Sequence, residues 1–393
     1  MAVIRRLAIL LCAALLAVQI VRNAAVEELA ETLPQSAARL WPDHPEVRAQ
    51  TGMVAIGAAT GKRQPVPQTA FEALNETALQ APLLAEPFLV RGVQAQLAGD
   101  DALARKAFIA AERRAPRALP AHYFLAEQDL RSGNVAHGLS ELAVLAVLAP
   151  NGAVSVAPFI ATVARDRRNW PAVRTLFRRN PNIVGYTLAR MAVDPANAET
   201  ILALAGPASP GTENGWLGAL LGSMTAAGKY AEARALWASQ AKLSLSPDEP
   251  LFDRSFSNPT PSPPFNWALT SSTVGLAERL SGGRLHAIYY GQQDGALARQ
   301  LLVLQPGTYR VTMRVAGDPA RREALNWSVT CDKSSAPFAT IDLATASRQA
   351  WSFAVPASCG AAWLELAGEA EDIPKPADVT ISELRMARVG ANG

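Results

Sequence analysis

The chain has 393 residues, 49% of them hydrophobic and 18% charged, which excludes a disordered polymer and leaves room for two folded domains plus a short extra segment. Lys and Arg number 37 against 34 Asp and Glu, a net charge of +3, too balanced for nucleic-acid binding driven by bulk electrostatics. Three Cys and four His are too few and too scattered for a zinc ribbon or finger.

Arg5 and Arg6 precede an apolar run from Leu7 to Val21, and Arg22 closes it. Cations ahead of such a run stay on the cytoplasmic side, so residues 1–23 are expected to form a signal anchor or transmembrane helix, touching the lipid bilayer through residues 7–21. The run is short for a span unless Ala2–Ile4 and the arginine stems extend it by snorkelling. A cleaved signal peptide is the first alternative, although Ala24 and Ala25 make a poor cleavage site after Arg22 and Asn23; a buried core helix is the second. Leu11 before Cys12 argues against a lipoprotein. The expected location is the inner (cytoplasmic) membrane, single-pass, with the soluble part periplasmic.

Residues 24–243 carry helical apolar spacing broken by Gly and Pro. Pro82, Pro116 and Pro150 recur at intervals of 34 residues, as do Gly99 and Gly133. Within Ala85–Ala118, Gly92 falls where two helices would touch, Gly99 at their turn, Ala104, Phe108 and Ala111 inside the second helix, and Pro116 at its end. Antiparallel helices approach closely only where side chains are small, and an aromatic fills the space beside them. The next unit, Leu119–Gly152, keeps Ala126, Gly133 and Pro150, with Gly138, Leu142 and Leu145 at later packing sites. Trp170–Phe177 and Trp216–Gln240 read as further helical pieces, and Gly218 with Gly222 as a point of close helix packing.

This pattern resembles the tetratricopeptide repeat, strongly for two units and weakly at the edges. The resemblance implies an α-solenoid whose first helices present a face to a protein partner. Leu89, Val93, Tyr123 and Glu127 occupy that face, so the family's Lys/Arg/Asn clamp for a C-terminal carboxylate is absent. A purely structural, spacing role is the alternative.

A linker over 244–250 leads to a region, 251–390, of short segments with period-two alternation. Tyr309, Val311, Met313 and Val315 share one parity, as do Leu325, Trp327, Val329 and Cys331, then Trp351, Phe353 and Val355, and finally Val379 and Ile381. Eight to ten such strands predict a sandwich or jelly roll. The stretches Leu251–Phe256, Pro264–Leu269, Gln305–Val311 and Asp378–Leu384 resemble carbohydrate-binding-module-like (galactose-binding-like) β-sandwiches. Cys331 and Cys359 pair as a disulfide if the domain is exported; two buried thiols are the alternative. Trp267, Tyr289 and Tyr290, with Gln292, Gln293 and Asp294 in the following turn, are the candidates for sugar stacking and hydrogen bonding. Adjacent Tyr289 and Tyr290 point to opposite faces, so at least one belongs to the core. Trp327, Trp351 and Trp363 read as core, and Glu369–Asp372 as a solvated loop, with calcium binding the alternative.

No nucleophile–base set appears, and His44, His122, His137 and His286 lack metal-ligand spacing. No enzyme, cofactor or metal is therefore expected. The combination is similar to bacterial envelope and polysaccharide-associated proteins. It implies a non-catalytic, membrane-anchored scaffold accompanying surface-polysaccharide assembly or export, with protein partners on the helices. The alternative is a carbohydrate-binding protein whose C-terminal sandwich holds polysaccharide on a helical stalk, and a glycan-active enzyme comes third.

Overall fold

The computed structural model describes residues 2–62, 64, 66–205, 215–245 and 249–389. It has a helical N-terminal part and a C-terminal domain of two antiparallel sheets, and its contacts divide into two compact units, Met1–Thr187 and Leu188–Gly393.

The first unit opens with α1 (Ala2–Thr32). Nothing breaks that helix at Arg22, and it runs on until Pro34 lies ahead. Its stretch Ile9–Thr32 is long and apolar enough to cross a membrane. Leu10, Leu11, Leu15 and Leu16 lie exposed, so this segment is apolar without being part of a protein core. Among its described residues, cover comes at the C-terminal end: Val26 and Ala30 pack with Ala37 and Val47, from α2 (Pro34–Leu40) and α3 (Pro45–Gly61).

Then follow α4 (Gln68–Gln80), α5 (Glu86–Leu97), α6 (Asp101–Arg114), α7 (Leu119–Arg131), α8 (Val135–Leu148), α9 (Gly152–Ala164) and α10 (Trp170–Arg179). The division between the units falls within α11 (Pro181–Ala192). Helices α5–α6 and α7–α8 are hairpins that turn at Gly99 and Gly133, with φ of 79° and 84°. That left-handed conformation is easy for glycine and strained for a side-chain-bearing residue. Asp100 caps α6 by accepting from the Leu103 amide at 2.9 Å. At the α5–α6 contact, a Cβ on Gly92 would lie 2.4 Å from the Phe108 ring. The ring packs there with buried Ala85, Leu89, Ala104, Ala111 and Leu125. Ala126 is buried one period on, and Pro116 and Pro150 sit in the turns that follow α6 and α8.

In the second unit, α12 (Ala198–Ala205), α13 (Gly215–Ala226) and α14 (Tyr230–Gln240) precede the sheets. A Cβ at Gly218 or Gly222 would meet nothing within 4 Å among the described residues beyond its own helix backbone and chain neighbours.

The strands are β1 (Ala268–Leu269), β2 (Gly275–Leu280), β3 (Arg284–Tyr289), β4 (Gly295–Leu302), β5 (Gly307–Gly317), β6 (Leu325–Cys331), β7 (Ala339–Asp342), β8 (Trp351–Val355), β9 (Ala362–Gly368) and β10 (Ala377–Arg388), with the short α15 (Leu343–Ala346) after β7. They form two five-stranded sheets, ordered β1-β4-β9-β6-β7 and β2-β3-β10-β5-β8. The alternating residues of both sheets meet in one core: Trp327, Val329, Leu364 and Leu366 from the first, Leu285, Tyr309, Val311 and Ile381 from the second. Cys331 and Cys359 form a disulfide with Cα atoms 5.5 Å apart.

Trp237 of α14 is also buried in this unit. Its indole N–H donates to the Ser262 carbonyl at 2.9 Å, and its ring meets Phe252 and Phe265 edge-on at 4.9 and 5.7 Å. Tyr230 donates to Asp332 Oδ2 and Trp363 to Asp332 Oδ1, both at 2.8 Å. Burial and that carboxylate push the Tyr230 hydroxyl up to about 12.

Candidate functional site

On the helices, the four expected partner-facing residues divide. Leu89 is core, because this side of α5 is closed by Ala104 and Phe108, and Val93 packs partly against the same cluster. Glu127 is paired with Arg131 one turn on. Tyr123 alone offers a ring to solvent, 48% exposed, and Phe159 of α9, at 44%, lies edge-on to it at 6.3 Å. Behind them Tyr123 meets Phe124 at 6.0 Å, and Phe124 stacks on Phe108 at 4.7 Å. Rings thus run from the α5–α6 core to the surface across α6, α7 and α9. Phe159 lies beyond the two clear repeats and was not legible from their spacing.

Beyond α9, Arg165, Arg167, Arg168, Arg174, Arg178 and Arg179 are all exposed. Arg168 pairs with Asp166, and Arg167 and Arg174 lie over the Trp170 ring.

Beneath the helical surface lies a polar cluster. Asp129 of α7 is buried and pairs with Arg105 of α6; it also accepts from Asn134 at 3.3 Å and lies 2.5 Å from His137 Nδ1. Glu141 of α8, also buried, has Oε2 2.6 Å from His122 Nδ1 and Oε1 3.7 Å from His137 Nε2. The second nitrogen of His122 faces the Pro116 carbonyl at 2.8 Å. Burial works against a charged His122, but Glu141 and the Pro116 carbonyl outweigh it and raise its affinity for a proton. One signal for this cluster was present in the sequence: His137 and Glu141 stand four apart on one helix face. The other partners come from neighbouring helices, whose pairing no local pattern announces.

In the sheet domain, two of the sugar-stacking candidates are core. Trp267 is 2% exposed, enclosed by Phe256 and Trp327 with its N–H turned to the Asp253 carbonyl. Tyr289 is fully buried and its hydroxyl donates to the Gln293 carbonyl. Neither ring face can reach a sugar. Tyr290, Gln292 and Asp294 are exposed, as the opposite parity of Tyr290 requires. Trp327 and Trp351 are core, whereas Trp363 shares the outward parity of β9 and lies under the Arg299 guanidinium. On the loop after β9, Glu369 accepts from Asn326 and Glu371 pairs with Lys375.

Asp294 does line a groove of about 470 Å³, together with Asn326, Ser328, Thr340, Glu365 and Glu369. Register builds it: Glu365 on β9 stands opposite Ser328 on β6, and Ser328 opposite Thr340 on β7. Burial raises the Glu365 carboxyl above its ordinary value, against the pull of Arg299. The groove is thus polar and carboxylate-lined. On the other sheet, His286 lies between Glu278 and Asp378, at 3.0 and 2.8 Å. The Glu278 hydrogen bond leads in raising its affinity for a proton.

No protein-family model matches the chain, and a search of curated proteins returns no match. Among solved structures, part of the chain is similar to the structure of accessory secretory protein 1, 2 and 3 of Streptococcus pneumoniae. The identity is 9% and the TM-score 0.24, over 31% of this chain and 90% of that one.

Proposed function

We propose that the chain is a non-catalytic interaction protein of the bacterial cell envelope. In this reading α1 anchors it in the cytoplasmic membrane, and the later helices form a tetratricopeptide-like solenoid that docks a protein partner. The two-sheet domain is a carbohydrate-binding-like jelly roll outside the cytoplasm, and the process served is surface-polysaccharide assembly or export. The observation that carries the docking role is the pair Tyr123 and Phe159: two half-exposed rings, from α7 and α9, in contact at the surface. Aromatic anchors of this kind supply much of the energy in protein interfaces. The exposed apolar length of α1 and the Cys331–Cys359 bridge support an anchored protein with its bulk in an oxidising compartment.

The test is site-specific photo-crosslinking of the full-length protein in bacterial membranes. Probes at Tyr123 and Phe159 are expected to trap one common envelope protein, and a probe at exposed Arg178 is expected not to trap it. Fractionation into the cytosol with free thiols at 331 and 359, or identical adducts from all three positions, overturns the reading.

A second reading, glycan binding by the sheet domain, is favoured by the groove around Asp294 and Glu365. It moves the sugar site from Trp267 and Tyr289 to that groove.

A further inference from the structure

Among the described residues, one set of side chains with metal-ligand chemistry converges. Donor atoms of Glu112 on α6, His122 on α7 and Glu141 on α8 all lie within 4.8 Å of one another. His122 and Glu141 are buried and Glu112 is half-buried. The Pro116 carbonyl, 2.8 Å from His122 Nε2, accepts from that N–H and leaves Nδ1 facing Glu141 at 2.6 Å, where one proton is held between them. A ligating imidazole is ordinarily oriented in this way, by an acceptor on its other nitrogen. Glu141 is fixed from its far side as well. Its second oxygen lies 3.7 Å from His137 Nε2, and His137 is held at Nδ1 by Asp129, itself anchored by Arg105 and Asn134.

We propose that Glu112, His122 and Glu141 hold a single divalent transition-metal ion of the Zn²⁺ class, bracing α6, α7 and α8 against one another. One imidazole nitrogen with two carboxylates suits such an ion, and the carboxylates match its charge. The ion takes the place of the proton now shared between His122 Nδ1 and Glu141, so these two atoms move apart slightly as it enters. Water fills its remaining coordination. The half-buried Glu112 and the half-exposed His137 mark the route from solvent.

The experiment uses the full-length protein in detergent, stripped with a chelator. Zn²⁺ is titrated by calorimetry, thermal melting is followed in parallel, and Co²⁺ serves as the spectroscopic probe. The expected result is one ion per chain at about micromolar Kd or tighter, with a rise in Tm on loading and a Co²⁺ ligand-field absorption band. Glu112→Gln and His122→Gln should each weaken binding about 100-fold and abolish the band, while His286→Gln in the sheet domain leaves both unchanged. Glu112 lies outside the short His122–Glu141 contact, so Glu112→Gln tests ligation in a chain that keeps that bond. Binding no tighter than about millimolar in the wild type, or tight binding indifferent to Glu112→Gln, overturns the proposal.

Discussion

Gly92 shows how a single atom sets the helical architecture. A methyl group there would lie within 2.4–2.8 Å of three Phe108 ring atoms, and the ring has nowhere to go because Ala104, Ala111 and Leu125 enclose it. Gly92→Ala should therefore destabilise the protein by about 1–3 kcal/mol by overpacking, less whatever Ala gains as a better helix former, up to about 1 kcal/mol. Gly185 in α11 has nothing within 4 Å among the described residues, so Gly185→Ala should be neutral or stabilising. Urea denaturation of both variants checks the contrast. The Gly92–Phe108 pair was legible from the 34-residue spacing because small-against-large packing leaves a sequence trace. Trp267 is not legible as core, since its exposure depends on Trp327, which reaches it from a strand far along the chain and closes it in with Phe256. Trp363 differs, because the inward parity of β9 belongs to Ala362, Leu364 and Leu366, and that alternation is local to the strand.

At the scale of elements, the sheets were readable and the helical cluster was not. Alternation in β5, β6 and β8 gives the inward faces directly, and Tyr309, Val311, Trp327, Phe353 and Val355 are all buried. Alternation says nothing of strand order, however, so the groove across β9, β6 and β7 appears only when those strands pair. The disulfide spans 28 residues, from the end of β6 to the turn before β9. In the chain-entropy account, closing such a loop stabilises by about 3–4 kcal/mol. Replacing both Cys331 and Cys359 by Ser should lower the unfolding free energy of the domain by about that amount. Reduction of the wild type should have the same effect, and denaturant midpoints with and without reductant measure it.

For the whole molecule, the change of composition near 244 is visible in sequence, yet it does not end the chain's helical contribution to the sheet domain. Trp237 lies before it and fills a site between Phe252 and Phe265 beyond it. A fragment of residues 251–389 would leave those rings uncovered and lose a Trp-sized piece of core, worth about 3–5 kcal/mol by analogy with Trp truncation. A fragment of residues 215–389 keeps α13 and α14. Thermal melts of the two should place the longer one clearly higher, and equal melting temperatures would show that the hairpin adds nothing to the sheets.

Asp332 serves two donors from separate elements, Tyr230 of α14 and Trp363 of β9, and it directly follows Cys331 in the chain. The covalent bridge that moors that cysteine moors the shared acceptor with it. Joining the two sulfurs thereby also firms the perch on which α14 rests. Maturation of the bond is therefore expected to steady the seat of the helix, and a chain still in its reduced form to carry its last hairpin more loosely.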